Sequence, residues 1–498
     1  MGAVTIAEMR ALEARAADLG WSEERLLTLA GQRLGHALAA FFPHPGTLIG
    51  YLGTGHNAGD AVVAMRVMEQ TYGWHTAARA GFPLERWAPL TRAKWLEAAP
   101  LELLETPPDW RDLRHPLILL DGLLGIGASG ALREPLAGLA REMAWLREQA
   151  GARVAAVDLP SGVDPDSGEI SAGAVTADVT FMIGAAKRGL LTATAAAATG
   201  GLAVVPLEPL AAPPGGDLEL ISPLAMDVGK APRPFDFHKG MAGRVHLLAG
   251  SAAYTGAAVL AASGALRGGA GMVVLHASTA AAPVIAAKCP SEIIVRACGH
   301  PLELLENRPD ALVIGPGLGM LDGAFADGLL ELLDRATVPA VLDADALNFL
   351  ARRGMLSRLR ENHVLTPHPG EFGRLAPDLA DLPREAAARL FVDRHPVTLL
   401  LKGCRTLVTR RGEPLWCNAT GSPAMATGGQ GDLLAGVLGA QLAAAIPPVA
   451  AAAIAAWLCG RAAELALTEH AASEQSLTPT DLLARLGAAF NDWREGRR

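Results

Sequence analysis

Apolar and polar positions along this chain follow two periods. Residues 8–42 alternate leucine and alanine with charge at helical spacing. The run Thr47–Leu52 is short, apolar and closed by glycine, which predicts a buried strand. Further strands are predicted at Pro116–Leu120, Arg153–Val157, Asp178–Ile183 and Leu202–Val205, with helices such as Ala61–Tyr72 and Glu134–Glu148 between them. Alternating strand and helix predicts a parallel sheet with helices on both faces. The pattern breaks between Pro206 and Pro234, a stretch with seven prolines. It predicts a first domain over residues 1–210, a linker over 211–235 and a second domain over 236–498. From His238 the alternation restarts. Strands are predicted at Val245–Ala249, Met272–His276, Glu292–Val295, Ala311–Ile314, Ala340–Leu342, His363–Leu365 and Thr398–Leu401, with helices such as Gly256–Arg267 and Asp322–Arg335. The second half is thus a larger α/β domain. The long apolar stretch Val437–Gly460 is interrupted by Pro447-Pro448 and carries Gln441. Two alanine-rich buried helices fit it better than a membrane span.

A length of 498 residues allows two to four domains, at roughly 100–200 residues each. Half the residues are apolar and 19% are charged, a globular composition that excludes a disordered or fibrous chain. The 55 glycines and 34 prolines predict many tight turns. A net charge of −8 without a long basic run argues against nucleic acid as a partner. The cysteines (Cys289, Cys298, Cys404, Cys417, Cys459) show no C-x-x-C spacing, which suggests neither a disulfide framework nor a zinc site. The first ten residues have no apolar signal core. A reduced, cytoplasmic setting is expected.

In the first half, the strand at Thr47 runs into Gly53-Thr-Gly-His-Asn-Ala-Gly-Asp60. A strand, a glycine turn and a helix start make a cradle for an anion. Two later strands end in Asp121-Gly-Leu-Leu-Gly125-Ile-Gly127 and Asp158-Leu-Pro-Ser161-Gly162. Polar groups at the carboxyl ends of parallel strands converge on the binding crevice of such folds. Asn57, Asp121 and Ser161 all bear oxygen and together suit a hard cation. Each alone also reads as a helix cap or turn residue.

These motifs together resemble the NAD(P)H-hydrate epimerase family over residues 5–205. The resemblance implies that Asn57, Asp121 and Ser161 bind potassium. It implies substrate contacts from His56, Asn57, Ala58, Gly59 and Asp60. The second substrate loop comprises Gly125, Ile126, Gly127, Ala128, Ser129, Gly130 and Ala131, with Asp158 as a further contact. His56 and Ala58 depart from the family's usual Asn-Asn-Gly-Gly-Asp-Gly. So does Leu29 before Ala30-Gly31, where the family carries Glu.

In the second half, Thr427-Gly-Gly-Gln-Gly-Asp432 precedes the apolar helix Leu433–Leu442. Successive glycine N–H groups at a helix start form an anion hole. An aspartate there can orient and deprotonate an attacking hydroxyl during phosphoryl transfer, or merely cap the helix. In order along the chain come His238-Lys-Gly-Met-Ala-Gly243, Ile314-Gly-Pro-Gly-Leu-Gly319, Leu342-Asp-Ala-Asp345, Thr366-Pro-His-Pro-Gly-Glu371 and Lys402-Gly-Cys-Arg-Thr406. The series is similar to the ADP/ATP-dependent NAD(P)H-hydrate dehydratases, on a ribokinase-like fold, over about residues 236–490. By that resemblance Lys402, Gly403, Cys404, Arg405, Thr406 and Gly431 contact the nucleotide. Asp432, as the catalytic residue, together with His368, Gly317 and Ala257, contacts the hydrated nicotinamide. Gln430 replaces the usual serine.

The two resemblances imply one pathway. The first domain would interconvert R and S hydrates of NADH and NADPH. The second would dehydrate the S form at the expense of ADP or ATP, with magnesium on the nucleotide, releasing AMP and phosphate when ADP is used. The chain is expected to act on small molecules, away from membranes, as a homo-oligomer. The alternative is a ribokinase-like small-molecule kinase with a non-catalytic N-terminal binding domain.

Overall fold

The computed structural model describes residues 1–97, 101–128, 130–469 and 471–496. The chain separates into two compact units, Met1–Gly216 and a second beginning at Asp217.

In the first unit, among the described residues, seven parallel strands form one sheet. Their spatial order is Glu102–Leu103, His75–Ala80, Thr47–Leu52, Leu117–Gly122, Arg153–Val157, Val179–Ile183 and Gly201–Val205. Thr47–Leu52 and Leu117–Gly122 are buried throughout, as expected of strands covered on both faces. From Thr47–Leu52 the chain builds outward to one edge, then returns to start the other side at Leu117–Gly122, which pairs with the first strand from Thr47↔Leu117 to Leu52↔Gly122. The topology therefore reverses between these two strands, and their carboxyl ends flank the natural crevice.

The apolar period over 8–42 resolves into two helices, Ile6–Asp18 and Glu23–Phe41. Gly20, at φ 84°, separates them. Thr5 and Glu8 close a capping box on the first, and the Ser22 hydroxyl caps the second. The helix after the glycine turn, His56–Tyr72, packs closely on Glu23–Phe41. A methyl group at Gly31 would stand 2.5 Å from Val63 Cβ.

The second unit carries ten strands among the described residues. Their order is Leu218–Leu220, Leu415–Asn418, Thr406–Arg410, Thr398–Leu401, His363–Leu365, Ala340–Leu342, Ala311–Ile314, Arg244–Leu248, Met272–Ser278 and Ile293–Cys298. All neighbours are parallel except those of Thr406–Arg410. The order reverses between Arg244–Leu248 and Ala311–Ile314. The proline-rich segment read as a linker over 211–235 is more than a tether. Its residues Leu218–Leu220 pair with Leu415–Cys417 as an edge strand. The apolar stretch Val437–Gly460 forms parts of two helices, Gln430–Ala443 and Pro448–Thr468. The second is long and apolar enough to cross a membrane, but 83% of its apolar window is buried. It is a core helix, with Trp457 edge-on to Trp493 at 5.0 Å.

Two crevices at strand ends

In the first unit the turn Gly53–Gly55 leads into the helix at His56, so Asn57 lies in its first turn and Asp60 just beyond it. Asp121, at the end of its strand, is fully buried. Its oxygens accept hydrogen bonds from the Ser161 amide and hydroxyl, both at 2.7 Å, and from Leu123 N at 3.2 Å. The Ser161 hydroxyl in turn accepts from Leu124 N at 2.9 Å. Asn57 Nδ2 donates to the Leu124 carbonyl at 2.8 Å. The Asn57, Asp121 and Ser161 positions are thus drawn onto one short segment, Leu123–Gly125. Burial pushes the Asp121 carboxyl up to about 6, opposed by the hydrogen bonds from Ser161 and Leu123, with no cationic side chain among the described residues assisting them.

The loop Gly125–Ala131 is half-exposed to exposed beside this cluster, apart from Ser129, which lies outside the described residues. Leu124, Gly125, Ala128 and Gly130 line a cleft with Leu159, Gly162, Val163 and Asp164. His56 is exposed and pairs with Glu23, its Nδ1 3.2 Å from Oε1. Ala58 is fully buried, so its methyl group packs into the core and leaves the crevice clear. Asp158 holds a positive φ of 65°. One of its oxygens accepts from Ile183 N at 2.8 Å and from the ammonium of Lys187. Lys187 is almost wholly buried and also donates to the Ile183 carbonyl at 2.8 Å. Asp60, half-buried, is held well above the usual carboxylate range by desolvation and then by Asp158. Lys187 is a site residue that motif reading misses. Its only trace is a lysine closing the otherwise apolar run Phe181–Ala186.

In the second unit, strand ends and helix starts bring together Asp343, Glu371, Lys402 and Asp432. Lys402 Nζ donates to Asp343 Oδ1 at 2.8 Å and lies 3.7 Å from Glu371 Oε2. Asp343, 1% exposed, also accepts from the Thr366 hydroxyl at 2.8 Å. A methyl group on Gly431 would meet Lys402 Nζ at 3.3 Å, so the ammonium stands at the start of the helix Gln430–Ala443. Asp432, in that helix's first turn, is pushed up to about 7, chiefly by burial and then by the nearby Asp343 carboxylate, against the pull of Lys402.

His368 caps the helix Pro369–Leu375. Its Nδ1 accepts from Gly370 N at 3.0 Å, while its own amide donates to Glu371 Oε2 at 2.8 Å. That leaves its Nε2 edge facing outward, 3.5 Å from Glu371 Oε1. At the topological reversal, Gly317 holds φ 62°. A methyl group there would crowd Ala257 and Tyr254, each at 2.8 Å. Ser251 Oγ, beside Gly319, is buried with no hydrogen-bond partner among the described residues. The turn Lys402–Thr406 has φ 145° at Gly403 and 58° at Arg405, with Cys404 exposed. Thr406 Oγ1 donates to Gly403 O at 3.0 Å. Arg384 braces the turn, donating to the carbonyls of Leu401, Lys402, Cys404 and Arg405 at 2.6–3.3 Å. Sequence motifs alone assign roles to neither Arg384 nor Asp343.

A family model described as NAD(P)H-hydrate dehydratase matches residues 245–486, and one described as the N-terminus of YjeF-related proteins matches residues 23–189. The bifunctional NAD(P)H-hydrate repair enzyme Nnr of Gloeobacter violaceus is 35% identical, over 94% of each chain. That of Coxiella burnetii is 33% identical, over 97% of this chain and 98% of its own. Among solved structures, an ADP/ATP-dependent NAD(P)H-hydrate dehydratase from Bacillus subtilis, co-crystallised with ATP and Mg2+, is 28% identical. It aligns over 56% of this chain and all of its own, with a TM-score of 0.47.

Proposed function

Since the chain belongs to the family of bifunctional NAD(P)H-hydrate repair enzymes, we propose that its two crevices divide the repair between them. It is an enzyme that restores hydrated nicotinamide cofactors, with an epimerase and a dehydratase activity. The dehydratase belongs to the second unit, at the crevice of Gly317, His368, Lys402 and Asp432. The observation that carries this reading is the set of charges at the helix start. One carboxylate, Asp432, stands beside an ammonium already engaged by Asp343 and Glu371.

In this reading the adenine nucleotide lies along the turn Lys402–Thr406 and its phosphates meet the amides at Gly431. Magnesium, when bound with the nucleotide, neutralises the phosphate oxygens. Asp432 takes the proton from the ring hydroxyl as that oxygen attacks the terminal phosphorus. Departure of the phosphate from the ring carbon that carried the hydroxyl, with loss of a proton from the adjacent ring carbon to solvent, then re-forms the double bond of the dihydronicotinamide. Lys402 keeps the Asp343 and Glu371 carboxylates in register and offsets their charge. Ala257, Gly317 and the outward Nε2 edge of His368 shape the pocket for the hydrated ring.

Interconversion of R and S hydrates belongs to the first crevice. The substrate lies between the helix start at His56–Asp60 and the loop Gly125–Ala131, with Asp158 held in place by Lys187. The donor set suits potassium. Asp121 is a buried carboxylate without a cationic partner among the described residues, and Asn57, whose Nδ2 is already committed to Leu124, can offer its amide oxygen. The cation would brace the loops and offset phosphate charge. Asp121→Ala with the R hydrate tests this. It should depress R-to-S conversion about tenfold or more, remove stimulation by potassium, and leave dehydration of the S form unchanged. Epimerisation by the variant at the parent rate in potassium-free buffer would refute the site.

A further inference from the structure

Three neighbouring strands of the second unit bring His246, His276 and Cys298 to one face of the sheet. His246 is level with Val274, two residues from His276, and His276 is level with Arg296, two residues from Cys298. Alternate residues of a strand share a face. The short 3₁₀ helix Pro301–Leu305 that follows brings Glu303 to the same place. His276, Cys298 and Glu303 each offer a ligand atom, all within 4.8 Å of one another. His276 and Cys298 are 1% and 3% exposed.

A buried imidazole ordinarily commits its ring nitrogens to hydrogen bonds. In His276 both nitrogens are buried without a partner among the described residues. His246 has its Nδ1 2.8 Å from the Leu304 carbonyl, so that nitrogen carries the proton. Its Nε2 bears the lone pair and is likewise buried and unpartnered. The two rings are 5.3 Å apart. Glu303 accepts from Gly299 N and His300 N at 3.0 and 2.9 Å, both through Oε1, which leaves Oε2 for another bond. A merely apolar role would leave three imidazole nitrogens unsatisfied in a dry place.

We infer that His276, Cys298 and Glu303 form a binding site for a borderline divalent cation, Zn2+ or Co2+. One imidazole, one thiolate and one carboxylate are a donor set for such an ion and not for magnesium or potassium. The fourth tetrahedral position is open to water or to His246 Nε2. The carbonyl contact of His246 Nδ1 is the kind of outer support that orients a metal-bound histidine. On binding, the Cys298 thiol exchanges its contact with the His300 carbonyl, at 3.3 Å, for the metal bond and releases its proton to solvent. The ion would staple the edge strand Ile293–Cys298 and the turn after it to the neighbouring strand. None of its ligands belongs to the crevice around Asp432.

The test is cobalt alone, added to the metal-stripped full-length chain. One equivalent should stay bound through desalting and give an intense sulfur-to-cobalt charge-transfer band in the near ultraviolet. Cys298→Ser should remove the band while the chain still dehydrates the S hydrate. Cys289→Ser should leave the band untouched, and His276→Gln should weaken binding about tenfold or more. Should Cys298→Ser prove inactive through misfolding, His276→Gln carries the test. No band in the parent, a band that survives Cys298→Ser, or binding unchanged in His276→Gln would overturn the site.

Discussion

At the scale of single residues, chemistry depends on what burial does to a charge. Asp432 must be ionised to accept a proton, yet its surroundings raise its titration to about 7. A base with a raised pKa is inactive below it, so dehydration of the S hydrate should rise with pH through about 7 and level off above. Asp432→Asn should slow it by about 10²–10⁴-fold and abolish that limb. Regain of dihydronicotinamide absorbance at saturating nucleotide measures both, and a limb at the ordinary carboxylate value of about 4 would contradict the assignment. Asp432, Lys402 and Gly317 are legible in the sequence because each sits beside glycines, Lys402 and Gly317 after strand ends and Asp432 at a helix start. Lys187 and Arg384 are not, because their roles are set by partners distant in the chain. Lys187 is 29 residues from Asp158, and Arg384 is 17 residues from Leu401. Ala58 shows the converse limit. The letters place a methyl group at the cradle, and only the helix's orientation shows that it turns into the core.

At the scale of elements, the apolar period locates strands such as Ala311–Ile314 and Thr398–Leu401, whose burial on both faces leaves a continuous apolar run. It misses His75–Ala80, where an arginine and a histidine interrupt the run. It also misses the hairpin strands Thr406–Arg410 and Leu415–Asn418, whose apolar runs are only two or three residues long between polar ones. Close helix packing is marked by glycine. The helices Thr255–Arg267 and Gln430–Ala443 meet at Gly264 and Gly436, and a methyl group on Gly436 would fall inside the van der Waals shell of the Ala261 carbonyl oxygen. Backbone cannot yield as a side chain can. Gly436→Ala should therefore push the helices apart at a cost of about 1–3 kcal/mol. Because Asp432 rides on the first turn of the same helix, dehydration should fall with it. Chemical denaturation and the absorbance assay together check this; a variant with unchanged stability and turnover would show that the helices do not need this approach.

At the scale of the whole molecule, the proline-rich stretch is legible as a break between two alternating patterns, but its end is not. Leu218–Leu220 belong to the second sheet through pairing with residues nearly two hundred positions later, which no local pattern announces. Separate fragments should therefore be cut at Gly216–Asp217; a cut after Leu220 would strip the second unit of its edge strand. That division gives the most direct test of a two-site repair enzyme. A mixture of R and S hydrates is offered, with ADP, Mg2+ and potassium, to the full chain, to the fragment from Asp217 onward, and to both fragments mixed. The full chain should restore the absorbance of both epimers. The second fragment alone restores the S share, and adding Met1–Gly216 recovers the rest. Full recovery by the second fragment alone at the rate of the intact chain, or an R share that the intact chain leaves untouched, would contradict it.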